Sequence, residues 1–216
     1  MAISVKILDS VSTIEKNINI AIAKHLNNTL ANNTNNIINK IKLLIPIWIK
    51  NQPEMISIGD NSEGSLKGAF GIIDTSNSII NSISSSVTDS LTFEFKNFDN
   101  SLNGGLTINI QPDTFQNLLA LNDGKVIYKD GTLHWLDWLL TRGDEIIIAD
   151  YYYNATTGLG RTKLGNMKQG GVFRVPPQFS GNIDDNFVTR ALNGSSQIDQ
   201  ITKIILSYLQ WQIILT

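Results

Sequence analysis

The chain has 216 residues, 42% hydrophobic and 17% charged, which is enough apolar content for one good core or two small ones and too much for a disordered tail. With 17 basic against 19 acidic residues the net charge is −2, so no global excess draws the chain to nucleic acid or to an anionic membrane. It has no Cys and two His, His25 and His134. That excludes disulfides, thiolate zinc sites and a cysteine nucleophile, and it weighs against a histidine-rich metal site. The most apolar stretch, Ile37 to Ile49, carries Asn39, Lys40, Lys42 and Pro46 and falls short of the roughly 18 apolar residues of a spanning helix. Met1 to Asp9 lacks the pattern of a secretion signal, so the expectation is a soluble chain made and kept in a cytoplasm. The skew towards Ile and Asn, with no Arg before Arg142, is read as AT-rich coding.

From Val11 to Ile49 the apolar positions Ile14, Ile18, Ala21, Ile22, Leu26 and Leu30, then Ile37, Ile38, Ile41, Leu44, Ile45 and Trp48, recur at three and four. The spacing predicts a helical hairpin or one long helix interrupted at the polar run Ala31 to Asn36. Pro46 leaves the end of this segment open. Gln52 to Gly71 reads as a connection rich in Gly and Ser. Asp74 and Thr75 offer an N-cap for a helix carrying Ile79, Ile80, Ile83 and Val87. Leu91–Lys96 and Leu106–Gln111 alternate as two antiparallel strands around Asn103-Gly104-Gly105. Asp113 is expected to cap a short helix through Leu121, and Lys125 to Lys129 a further strand.

Leu133-His-Trp-Leu-Asp-Trp-Leu-Leu140 predicts a compact helix stopped by a left-handed Gly143, with Trp135 and Trp138 in the core. Glu145 to Tyr153 is the most hydrophobic strand, with one face expected in the core and the other free for a partner. Asn154 to Gly171 predicts a long loop or hairpin, Phe173 to Phe179 an extended segment, and Asp184–Leu192 and Gln197–Leu209 helices. The expected fold is one α+β structural unit: a helical N-terminal arm over residues 1–51, then a small, mainly antiparallel sheet packed with short helices over 52–216.

His134 and Asp137 at a three-residue spacing, with Asp150 nearby, are compatible with a metal-dependent hydrolase; the blander reading places them at the edge of a packed helix. His25 reads as a half-buried packing residue. Gly158-Leu-Gly-Arg-Thr-Lys163 lacks the third glycine of a dinucleotide fingerprint and the ending of a phosphate loop, and is read as a flexible loop. Arg161, Lys163, Lys168 and Arg174 form a local basic set. With Tyr152 they are read as a protein interface, because aromatic residues and Arg mark interface centres; the interface assignment is Arg161, Lys163, Arg174 and Tyr152. Contact of this set with DNA phosphates is the further option.

The blocks Leu133-His-Trp-Leu-Asp-Trp-Leu-Leu140, Phe173-Arg-Val-Pro-Pro-Gln-Phe-Ser-Gly181 and Asp184-Asp-Asn-Phe-Val-Thr-Arg-Ala-Leu192 resemble virion structural proteins of tailed bacteriophages. Upstream, Lys50 to Ile58 and Gly64-Ser-Leu-Lys-Gly-Ala-Phe-Gly71 look like phage neck and tail-completion (head-tail connector) proteins; Phe173 stands where that family pattern has Trp. The resemblance covers most of residues 40–192. It implies a small α+β protein that forms a homo-oligomeric ring at the neck or upper tail. The implied partners are the portal or connector, the tail terminator or the tail tube. It implies no catalytic residues, no cofactor and no membrane, with the host cytoplasm as the place before assembly. A baseplate or tail accessory protein is the structural alternative.

Overall fold

The computed structural model describes residues 9–73, 76–110 and 114–209. Its first element is a single 40-residue helix, α1 (Val11–Lys50), begun by Ser10, whose hydroxyl accepts the Thr13 amide at 3.2 Å. The helix runs straight through the polar stretch predicted to interrupt it. There Asn33 and Thr34 bond back to the carbonyls of Thr29 (2.8 Å) and Leu30 (2.6 Å), which keeps their side chains from competing with the helix for backbone partners. Burial of Leu30 on one side of the stretch and Ile37, Ile41 and Ile45 on the other holds the weak segment helical. Pro46 lies inside the helix too. The bond its missing amide forgoes is offset by the burial of Ile45, Trp48 and Ile49 around it.

Only the first turns of α1 form an arm: from Val11 to Ile22 no residue is buried, whereas the second half lies in the main core. The division at residue 51 therefore passes through one shared hydrophobic cluster. After α1 come α2 (Pro53–Gly59), α3 (Leu66–Ala69), α4 (Ser76–Asp89), β1 (Thr92–Lys96), β2 (Gly105–Asn109) and α5 (Gln116–Leu119). Then follow β3 (Val126–Tyr128), β4 (Gly131–Leu133), α6 (Trp135–Leu140), β5 (Ile148–Ala155), β6 (Gly165–Phe173), α7 (Phe187–Asn193) and α8 (Ser195–Leu209). The architecture is α+β, as the alternation of patterns predicts. The strands form three separate two-stranded antiparallel ribbons, β1-β2, β3-β4 and β5-β6. The expected caps Asp74, Thr75 and Asp113 lie outside the described residues. Leu133 pairs with Val126 in β4, so the helix expected from Leu133 starts at Trp135. Gly143 is left-handed (φ 64°) as predicted, and its amide bonds to the Gly181 carbonyl at 2.8 Å.

The core is centred on Trp135, which stacks on Phe70 at 6.0 Å; Phe70 meets Phe173 edge-on at 6.5 Å. All three are buried, and each contributes about 2–3 kcal/mol through removal from water. Trp138 is half-buried, with the Arg142 guanidinium 6.0 Å above its ring. Helix α8 lies along α1: Ile201, Ile204, Ile205 and Tyr208 pack onto the core, and Lys40 Nζ sits 4.6 Å from the Tyr208 ring. Asn186 locks the entry to α7. Its side chain accepts from the Val188 and Thr189 amides and donates to the Leu140 and Asn182 carbonyls. A fully buried amide thus has each of its donors and its acceptor oxygen engaged.

Candidate functional site

The β5-β6 ribbon is the longest strand pair in the described chain and is largely exposed. In register, Ile148 faces Phe173, Tyr152 faces Lys168 and Tyr153 faces Met167, with a shift between Ala149 and Tyr151. Both ends are anchored. Phe173 enters the core at the base, where the Ile147 amide bonds the Phe173 carbonyl at 2.8 Å. At the loop end Tyr153 lies against Gly68 of α3 and donates its hydroxyl to the Leu164 carbonyl at 2.8 Å. Burial, and secondarily the nearby Glu63 charge, pushes the Tyr153 hydroxyl pKa up.

Between the anchors, residues 148–152 and 168–172 are exposed. The core face expected for this strand is not formed: Ile148 is 42% exposed, Tyr151 44% and Tyr152 40%, and of the three tyrosines Tyr153 alone packs on the core cluster. The reason is architectural. Among the described residues no third strand joins the ribbon, and α3, which touches both of its strands, is four residues long and sits at the loop end. Alternation in the sequence signals a strand without stating whether anything covers it.

The four residues predicted as an interface are spread along this ribbon. Tyr152 is at mid-length and exposed. Arg174 follows β6, with its guanidinium 3.9 Å from Asp144. Arg161 and Lys163 are in the connecting loop at the far end, roughly 25 Å away for an eight-residue strand. Arg161 is engaged within the fold: Nη1 donates to the Ile127 carbonyl at 3.1 Å, and the guanidinium stacks 5.0 Å over Tyr128. Tyr128 in turn donates to the Phe70 carbonyl at 2.6 Å. Its hydroxyl pKa is raised by burial, with Arg161 opposing the shift. Lys163 is exposed and left-handed (φ 61°).

The loop around it is ordered by its own backbone. Gly158 N–H bonds Lys163 C=O at 2.8 Å, Lys163 N–H bonds Gly160 C=O at 3.2 Å, and Gly165 N–H bonds Leu159 C=O at 3.1 Å. Those amides are spent inside the loop and do not form a phosphate cradle. The expected flexible loop is therefore a closed one. The Thr157 amide and hydroxyl fasten it to Glu63 Oε1, and these bonds, the hydroxyl's first, lower the Glu63 carboxyl pKa.

His134, Asp137 and Asp150 do not come together. His134 is exposed ahead of α6. Asp137 accepts from the Thr141 hydroxyl and from Arg142 Nε at 3.0 Å, and Asp150 sits in the ribbon with φ 62°. Among the described residues no group of three His, Asp or Glu is placed to hold a metal ion. His25 is half-buried on α1, as expected, 3.5 Å from the Thr29 hydroxyl.

One ionic centre escaped sequence reasoning. Glu54 on α2 is buried and pairs with Arg190 on α7, whose other amino group bonds Asp185 at 2.7 Å. Glu54 Oε2 has no partner. Burial raises the Glu54 pKa against the opposing pull of Arg190. Nothing in the spacing of residues 136 positions apart announces this pair. Among the described residues no helix is long and apolar enough to cross a membrane. Compared with known family models, curated proteins and solved structures, the chain matches none.

Proposed function

We propose that the chain is a structural component of a tailed-phage virion, a neck or tail-completion protein that assembles as a ring between head and tail and acts through protein contacts. The observation that carries the reading is the β5-β6 ribbon. It holds Ile148, Tyr151, Tyr152 and Val172 in water along its mid-length while both of its ends are anchored. An apolar, aromatic surface presented on a fixed support is what a permanent partner covers. The sequence resemblance to neck and tail-completion proteins supplies the setting, and the exposed start of α1 a second projecting element.

Quantitative peptide mass spectrometry of purified particles tests the reading. About six to twelve copies per particle correspond to one symmetric ring; absence from particles overturns it. The Arg161→Glu, Lys163→Glu double variant is expected to fold, losing about 1 kcal/mol with the Arg161–Tyr128 stacking, and to block assembly. Normal infectious particles from it would remove those two residues from the interface.

A further inference from the structure

We infer that the β5-β6 ribbon joins copies of this chain edge to edge, the β5 edge of one copy beside the β6 edge of the next. This deepens the ring assembly proposed above by naming its contact, and rests on that self-association but not on the place in a virion. Among the described residues each strand has the other as its one strand neighbour, and so keeps an open edge of backbone donors and acceptors. Proteins ordinarily protect such edges with a covering helix, a proline, charged side chains or a bulge; of these the ribbon has charges, Asp150 and Lys168, and the shift at Ala149/Tyr151. Here neither strand contains proline, and no described element covers the middle of the ribbon.

The charges on the two strands decide which edge meets which. Residues 144–155 carry three acids, Asp144, Glu145 and Asp150, and no base. Residues 163–174 carry three bases, Lys163, Lys168 and Arg174, and no acid. The ion pair between these sets is the exposed Asp144–Arg174 contact at the base. Glu145, Asp150, Lys163 and Lys168 take part in no salt bridge among the described residues. A two-fold contact, β5 on β5 or β6 on β6, sets like charges side by side, which is unfavourable across a strand pair. The head-to-tail contact sets acid against base.

Geometry agrees with charge. Because β5 and β6 are antiparallel, adding β5 of the next copy beside β6 extends the same antiparallel order. In the register the ribbon uses internally, Lys168 of one copy faces Tyr152 of its neighbour, with Asp150 two residues along the same strand; Arg174 lies just beyond the Ile148–Phe173 pair, with Glu145 three residues before Ile148. Ile148, Tyr151, Tyr152 and Val172 then gain cross-strand neighbours on the faces of the enlarged sheet. The contact is heterologous, and such contacts close into rings or wind into helices. The register shift at Ala149/Tyr151 divides each edge and keeps the pairing short.

The test is a charge exchange on the full chain. One variant is Glu145→Lys, Asp150→Lys, with both edges basic; the other is Lys168→Glu, Arg174→Glu, with both edges acidic. Sedimentation velocity is run up to millimolar concentration at low and high salt, with circular dichroism to check folding. The wild type is expected to associate more strongly at low salt. Each variant alone is expected to lose at least tenfold in association, and an equimolar mixture to recover it as alternating complexes. A wild type that stays monomeric throughout overturns the proposal, as do variants that associate like the wild type or folded variants whose mixture fails to recover. Recovery in the mixture together with absence from particles would uphold this contact and sink the virion reading. Ring copy number without recovery would do the reverse.

Discussion

Asn27 on α1 binds both backbone groups of Phe98: its Nδ2 donates to the Phe98 carbonyl at 3.0 Å, and its Oδ1 accepts the Phe98 amide at 2.7 Å. One side chain thereby plays the part of a neighbouring strand for the residue just after β1, and ties the β1-β2 ribbon to the middle of the long helix. Asn is suited to this because it carries a donor and an acceptor side by side.

Asn27→Ala is expected to cost about 1–2 kcal/mol, since both half-buried backbone groups lose their partner. Asn27→Asp is expected to cost more, because the donor is lost and a carboxylate is set against the Phe98 carbonyl. Denaturant unfolding gives the magnitudes, and faster hydrogen exchange at the Phe98 amide locates the effect.

The contact between α3 and the ribbon depends on a missing side chain. A Cβ on Gly68 would overlap the Tyr153 hydroxyl and stand 2.9 Å from Leu164 Cβ. Gly68→Ala is therefore expected to destabilise the chain by about 1–3 kcal/mol. Gly131→Ala is the control, as nothing lies within 4 Å of that position; its effect is expected within about 0.5 kcal/mol.

Asn186 distinguishes capping from amide donation. Asn186→Ala removes the cap of α7 and leaves buried carbonyls unpaired, an expected loss of about 2–3 kcal/mol. Asn186→Asp retains the oxygen that accepts both cap amides but turns a carboxylate towards the Leu140 and Asn182 carbonyls. Thermal unfolding should place it no higher than the alanine variant.

Glu54 makes a pH-dependent contribution whose sign follows from burial. Its folded pKa lies above the ordinary 4.5, so the native state holds the proton more tightly than the unfolded chain. The contribution is fully present below about pH 4.5 and is lost as pH rises through the folded value. Asp60, Glu63 and Asp99 have lowered pKa values from the hydrogen bonds they accept and act in the opposite sense, losing stability as pH falls. The comparison of Glu54→Gln with wild type cancels them. The unfolding free energy of the variant, relative to wild type, is expected to increase from pH 4.5 upwards. A flat difference would show that Glu54 ionises at its ordinary value.

Local elements were legible in the order of residues wherever the signal is a short-range one. The three- and four-residue spacing of Ile37, Ile41, Ile45 and Trp48 marked a helix and its buried side, and the alternation in Leu91–Lys96 marked a strand, found over Thr92–Lys96. The left-handed Gly143 and the burial of Trp135 were legible for the same reason: backbone sterics and apolar pattern act within a few residues. The tertiary structure alone decided what lies beyond that range. The polar run Ala31 to Asn36 looked like a break, yet it stays helical because its flanks are buried in one core. Glu145 to Tyr153 looked like a core strand, yet its middle stands in water because no described element packs behind it. The pairing of Glu54 with Arg190, the grip of Asn27 on Phe98 and the scattering of His134, Asp137 and Asp150 depend on where distant segments meet. A residue's chemistry is written in its own side chain, but its burial and its partner belong to the packing of the whole chain.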